Sequence, residues 1–203
     1  MVYRSQLELS FDIAAFASKK HENNRTIVEN VPIRLSWIDD THDPMARSLL
    51  LATPKRFYLQ LMQAHLQSIQ QQQTTAKDLL TFISSTWSEA SSLCSEIAHL
   101  DTAAITHCEI LNDQRLAVRT MLLVPTASAR VNLTFEVGAV VSGMKVAVKL
   151  TTKAASVYGQ HYRDERLRDF LKTRIGENMA GGAGNWVGAV RELRQKLIAQ
   201  GRT

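Results

Sequence analysis

The chain reads as α+β, two small antiparallel sheets each covered by helices, and three observations predict it. Apolar and polar residues alternate with period two in two separate blocks, one near the N-terminus and a clearer one from Leu116 to Tyr158. Each block is followed by segments whose apolar residues recur at helical spacing. Neither pass gathers the reactive groups of a catalytic site. A sheet or helix with one apolar face must bury it against another layer, so two such passes give two sheet-and-helix layers.

The elements follow in order. Leu7, Leu9 and Phe11 alternate with Glu8, Ser10 and Asp12, a half-buried strand, and the polar stretch Ser18 to Asn24 is a loop. Ile33, Leu35 and Trp37 alternate with Arg34 and Ser36, a second strand, with Pro32 at its start where a missing donor is tolerated. Ile27 and Val28 are candidates for a short strand between them. Thr53-Pro54 reads as a helix start, a capping hydroxyl followed by proline at the first helical position, with Tyr58, Met62, Leu66 and Ile69 forming the apolar face. Thr75-x-x-Asp78 is a second capping signature. The stripe Leu79, Ile83, Trp87, Ala90, Cys94 and Ile97 follows it.

The second pass begins near Thr102. Asn112-Asp113 turns the chain between Cys108-Ile110 and the strand Leu116 to Val124, and Pro125 to Ser128 turns it again. Val131, Leu133, Phe135, Val137 and Ala139 alternate with Arg130, Asn132, Thr134 and Glu136, the strongest strand pattern in the chain. Ser142-Gly143 is a hairpin signal, answered by Met144, Val146, Val148 and Leu150 with Lys145 and Lys149 facing out. The result is a meander with one wet and one dry face. Two helices are expected to cover the dry face. Leu167, Phe170, Leu171 and Ile175 line the first, ended by Gly176. Trp186, Val190, Leu193 and Leu197 line the second, started by Asn185 and ended by Gly201. On this packing Trp186→Ala and Phe170→Ala should be among the costliest changes, at about 3–5 kcal/mol.

Composition narrows the class. Hydrophobic residues at 45% and charged residues at 21% are an ordinary globular balance and argue against disorder. The longest apolar runs, Met121 to Val124 and Ala139 to Val141, fall far short of the roughly 20 residues a membrane helix needs, so no membrane role is expected. MVYRSQLELSF lacks the apolar core of a signal peptide. Asn24-Arg25-Thr26 and Asn132-Leu133-Thr134 are therefore read as chance sequons. Two cysteines without C-x-x-C spacing suit a reducing compartment. The net charge of +5 is uneven: residues 1–100 carry 9 basic against 10 acidic groups, and residues 101–203 carry 15 against 9. A basic second half suits an acidic partner segment or a nucleic-acid backbone, while a solvated helix surface is the plainer and preferred reading.

Each candidate for chemistry has a plainer reading. Asp39-Asp40-Thr41-His42-Asp43 sets carboxylates around a histidine, yet these are turn formers closed by Pro44 and read as a loop. Cys94 lies on an apolar helix stripe and reads as core rather than nucleophile, with His99 on a different face. His107 and Cys108 are neighbours on a strand and point to opposite faces. Gly181-Gly182-Ala183-Gly184 lacks the Lys-Ser/Thr of a phosphate loop and follows a helix, so it reads as a linker. Arg163, Arg166, Arg168, Lys172 and Arg174 are interleaved with Asp164, Glu165 and Asp169, which suggests local ion pairs more than a nucleic-acid stripe. No catalytic, cofactor-binding or metal-binding residue is assigned, and no cofactor is expected.

Four segments carry a resemblance: TPKRFYLQLMQAHLQSI, DLLTFISSTWSEA, VYGQHYRDERLRDFLKTRIG and AVRELRQKLIAQG. Through them the chain resembles, from Tyr3 to Gly201, the C-terminal region of the large outer-kinetochore scaffold of the KMN network, the blinkin family, in its fungal form. The resemblance implies tandem RWD domains, here residues 1–73 and 74–203. An RWD unit opens with a helix. The stripe Leu79 to Ile97 serves for the second unit, whereas the opening helix of the first is absent or lies upstream of Met1. The chain then reads as a fragment of a longer protein whose preceding region is coiled coil in that family. RWD domains resemble ubiquitin-conjugating enzymes without their reactive cysteine, so no enzyme activity is implied.

The implied function is anchoring. In that family the region binds a peptide-like tail of a Mis-twelve-complex subunit, beside other kinetochore proteins, in the nucleus at the centromere, supporting chromosome segregation in mitosis. An exposed sheet edge or a groove between two units could take up such a tail. No binding residue of the family maps onto a motif here, so the partner-binding residues are left unknown. The alternative is a nucleic-acid-binding domain using the basic half, although direct nucleic-acid binding is not expected. A conjugating enzyme acting through Cys94 or Cys108 is the more remote rival.

Overall fold

The computed structural model describes residues 2–3, 7–10, 34–38, 49–69, 76–142, 145–159, 162–175 and 185–200. Among these residues the architecture is α+β with two antiparallel sheets. The first holds β1 (Val2–Tyr3), β2 (Leu7–Ser10) and β3 (Arg34–Trp37) in that spatial order. Two helices follow, α1 (Leu49–Ile69) and α2 (Ala76–Ala103). The second sheet is a meander of β4 (Ile105–Asn112), β5 (Arg115–Val124), β6 (Ala129–Ser142) and β7 (Lys145–Tyr158). Helices α3 (Asp164–Ile175) and α4 (Trp186–Gln200) complete the described chain.

The small sheet shows the alternation that builds it. Leu7 and Leu9 on β2 and Leu35 on β3 are buried, while Glu8, Ser10, Arg34 and Ser36 face water. Register pairs Leu9 with Leu35, which places the two leucines side by side on one face. Ile27, Val28, the Asp39 to Asp43 segment and the Gly181 to Gly184 run lie outside the described residues, as do the capping glycines Gly176 and Gly201.

Helix α1 begins earlier than its sequence suggests. Pro54 sits inside the helix, one turn beyond the Leu49–Leu51 start, instead of opening it. Proline in a helix interior costs about 3 kcal/mol through the lost hydrogen bond and ring clash. Leu51 is buried in that extra turn and Leu50 packs partly against the core. Burying two such side chains contributes roughly 1.5–3 kcal/mol each, enough to carry the turn through the proline.

Helices α1 and α2 run antiparallel. The Cys94 thiol lies 4.0 Å from the Leu51 carbonyl, Tyr58 is near enough to Glu89 to feel its charge, and the His65 and Phe82 rings sit 4.8 Å apart. Positions 51, 58 and 65 recur every two turns, the spacing of a helix–helix seam. The stripe Leu79, Ile83, Trp87, Ala90, Cys94 and Ile97 is buried throughout, and the helix continues through Leu100 to Ala103. Thr102 thus belongs to α2 and not to the strand region. The Asp101 carboxylate then accepts the Thr106 N–H at 3.1 Å and fixes the exit into β4.

The meander follows its pattern closely. Val131, Leu133, Phe135, Val137 and Ala139 are fully buried, and β5 contributes Leu116, Val118, Leu122 and Val124 to the same face. A 3-10 turn over Pro125–Ala127 reverses the chain, with Ser128 left-handed at φ 44°. Gly159 has φ +80°, and a Cβ there would lie 2.0 Å from the Ser128 carbonyl oxygen, so only glycine fits beside that turn. Ser142 pairs with Lys145, leaving two residues between strands.

The two expected helices are not the whole cover, because α2 packs on the meander beside α3 and α4, and α1 packs against β4. Trp186 of α4 is fully buried and stacks on Phe135 of β6 with ring centroids 4.7 Å apart. Asn185 caps α4 by accepting the Gly188 N–H at 2.9 Å. Backbone N–H groups of Trp186 and Val187 also face the Glu96 carboxylate of α2, which ties the two helices together. Phe170, expected to be among the costliest positions, is only partly buried. Its ring faces Lys196 and Arg174 at 4.6 and 5.8 Å from the respective cationic groups, so its outer side meets side chains rather than the sheet. One contiguous core joins the small sheet, α1, α2 and the meander.

Burial also raises the pKa of Glu89. A carboxyl with a folded pKa above its unfolded one stabilises the fold below the unfolded pKa, and that contribution is lost as pH rises through the folded value. Glu89→Gln should therefore raise the denaturation midpoint at neutral pH and leave it nearly unchanged at about pH 4. Parallel urea titrations at the two pH values check this; an equal shift at both would contradict it.

Candidate functional site

A groove lies where the small sheet, α1 and the meander meet. Leu35 of β3 forms one wall, Leu59, Gln63 and His65 of α1 the second, and the β4–β5 turn with the end of β6 the third. Its volume is about 700 Å³. Mixed apolar and amide side chains line it, a composition suited to an extended peptide.

Local folding explains each wall. Strand β3 bonds β2 on one side and so presents its other edge to α1. The Leu35 N–H points to that free edge and is taken by Gln63 Oε1 at 2.9 Å. A side-chain amide here occupies the place of the carbonyl an added strand would bring. At the opposite wall the Asn112 side chain accepts the Gln114 N–H at 3.0 Å and shapes the turn. The Gln114 carbonyl accepts the Ala139 N–H at 2.9 Å and ties the turn to β6.

Val140 is the informative residue. Strand alternation turns it to the wet face, where it is 55% exposed. Beside Leu35 and Leu59 in the groove lining, it offers an incoming chain an apolar contact. The signal was present in the run Ala139 to Val141, which interrupts the alternation of β6. Leu35, Leu59 and Gln63 carried no comparable signal, since their approach depends on tertiary packing.

The wet face of the meander has the character of a solvated surface. Arg119 pairs with Glu109 at 2.8 Å and Lys153 pairs with Glu136 across neighbouring strands. Such exposed pairs contribute little stability.

The positions weighed for chemistry fall apart in space. Cys94 and Cys108 are both buried free thiols. Burial pushes Cys94 up to about 11, outweighing the opposing charge of Lys55. Burial pushes Cys108 up to about 12, helped by the charges of Cys94 and Asp101. Thiols held this high are protonated at neutral pH and poor nucleophiles. Both should resist a thiol reagent in the native chain and label fully once it is unfolded; fast native labelling of either would refute their burial. His107 is exposed while Cys108 faces the core, and His99 points to solvent. Among the described residues, no three His, Cys, Asp or Glu side chains come close enough to hold a metal ion. Among the described residues, no helix is long and apolar enough to cross a membrane.

The charged cluster of α3 resolves differently from the local pairing its spacing suggested. Arg168 meets Asp169 at 3.4 Å, but Arg174 reaches across to Glu192 of α4 at 2.9 Å. Asp164 accepts the Ser156 N–H at 2.9 Å and docks α3 on β7. The cluster thus joins α3 to its neighbours as much as to itself.

Against known families, residues 1–94 match the family described as the Knl1 RWD C-terminal domain, a span covering the small sheet, α1 and α2 as far as Cys94. No curated protein matches the chain. The small antiparallel sheets and packed helices of the described residues are consistent with that match, which suggests a kinetochore protein-interaction module.

Proposed function

We propose that this region anchors an outer-kinetochore scaffold by seating the extended tail of a Mis-twelve-complex subunit in the groove between β3, α1 and the end of β6. The groove itself carries the reading, with its apolar walls and the β3 edge amide held by a replaceable side-chain acceptor. A tail running along β3 would take over the Leu35 N–H from Gln63 and set an apolar side chain against Val140. No reactive group is needed for this and no cofactor takes part.

In this reading residues 1–73 and 74–203 are tandem RWD units. The order helix, meander, helix, helix from α2 to α4 supports the second unit, and the separate small sheet supports the first. The site of action is the centromere in the nucleus, during chromosome segregation.

Calorimetry with a synthetic tail peptide tests the reading. Binding should be one to one without added metal or cofactor, and Val140→Glu should weaken it at least about tenfold, or about 1.4 kcal/mol. Val140 is exposed, so the variant keeps its fold. Absence of binding, or binding indifferent to Val140→Glu, would defeat the assignment.

A further inference from the structure

We infer that α3 and α4 form a second docking site, separate from the groove beside β3, for an acidic amphipathic segment of a partner protein. The two helices leave a trough of about 420 Å³ between them. Leu167, Phe170, Leu193 and Leu197 form its floor, and Arg163, Arg166 and Lys196 stand around it. All three cations are exposed. Among the described residues none of the three enters an ion pair, whereas Arg168 and Arg174 do.

Charge complementarity selects the occupant. Residues 162–175 and 185–200 together hold 8 basic and 4 acidic side chains, a net +4 on one pair of helices. A helix with apolar residues at i, i+3 and i+7 lays them along the floor and turns its flanking carboxylates to the three cations. A second copy of this chain would bring like charge against like charge, which disfavours self-association here. A nucleic-acid backbone would satisfy the cations but gain nothing from the apolar lining, of which half-buried Phe170 is the most accessible part. It would also find no free stacking surface, because Lys196 already lies 4.6 Å over the Phe170 ring.

The probe is a fluorescein-labelled peptide of about 16 residues with leucine at those spacings and glutamate elsewhere. A scrambled peptide of equal charge and a labelled DNA duplex serve as comparisons. Anisotropy should show binding of the patterned peptide that weakens on going from about 50 to about 200 mM salt. Arg166→Glu combined with Lys196→Glu should abolish at least about nine-tenths of the affinity, as should Arg163→Glu with Lys196→Glu, while Val140→Glu leaves it unchanged. Near-UV circular dichroism confirms that each variant stays folded. Equal binding of the scrambled peptide, tighter binding of the duplex, concentration-dependent self-association through this face, or insensitivity to both charge reversals would each overturn the proposal. Loss of tail binding by Val140→Glu alone bears on the first groove and leaves this outcome independent.

Discussion

Replacing Trp186 with alanine should lower the unfolding free energy by about 3–5 kcal/mol. The indole is fully buried at the start of α4 and stacks on Phe135 at the centre of the meander's dry face. Truncation removes a large apolar area and leaves a cavity that Asn185 and the Glu96 contact hold open, because both fix the helix end in place. The total stability of a domain is about 5–15 kcal/mol, so one such loss takes a large share of it. Trp186→Phe separates packing from polarity. The indole N–H has no hydrogen-bond partner among the described residues, so phenylalanine keeps the ring contact without orphaning a donor. Its cost should stay well below that of alanine in the same urea titration; equal costs would show that stacking on Phe135 contributes nothing.

A loss of similar size, about 3–5 kcal/mol, is expected for Trp87→Ala. Trp87 is almost fully buried on α2, the helix that packs on α1 on one side and on the meander on the other. The contiguous core makes a further demand beyond the magnitude. Small sheet and meander should lose structure in one transition, since α1 packs on both β3 and β4. Denaturation followed by far-ultraviolet dichroism and by hydrogen exchange in both sheets should give coincident midpoints. Two separated transitions would show that the helix pair does not couple them.

Much of the fold was written in local periodicity. The buried positions of β6 are those its alternation marks, and every residue of the α2 stripe lies in the core, because a period of two or 3.6 leaves little freedom over which face is apolar. Turn residues at Asn112-Asp113 and Pro125 to Ser128 did the same for the strand ends. The errors arose where tertiary burial overrode a local signal. Pro54 looked like a helix start, yet burying Leu51 and part of Leu50 in the turn before it offsets what the proline loses. Phe170 looked like core, yet α3 approaches the sheet through Leu167 and Leu171 and turns the ring toward Lys196.

The candidate site was less legible for the same physical reason. Its walls come from elements more than a hundred positions apart, Leu35 on β3 and Val140 on β6, and no local period records such a meeting. The absence of an assigned nucleophile rested on the apolar neighbours of Cys94, a local feature, and the structure places that thiol inside the core. The pairing of Arg174 with Glu192 depended on how α3 and α4 cross and could not be read from the spacing within α3.

Hydrogen–deuterium exchange with and without the Mis-twelve tail tests the docking account most directly. Bound tail should protect Arg34–Trp37 of β3, the Leu59 to His65 stretch of α1 and the Ala139 to Val141 end of β6, and little else outside them. Protection confined to β5 and β7, or no change at all at saturating tail, would contradict it.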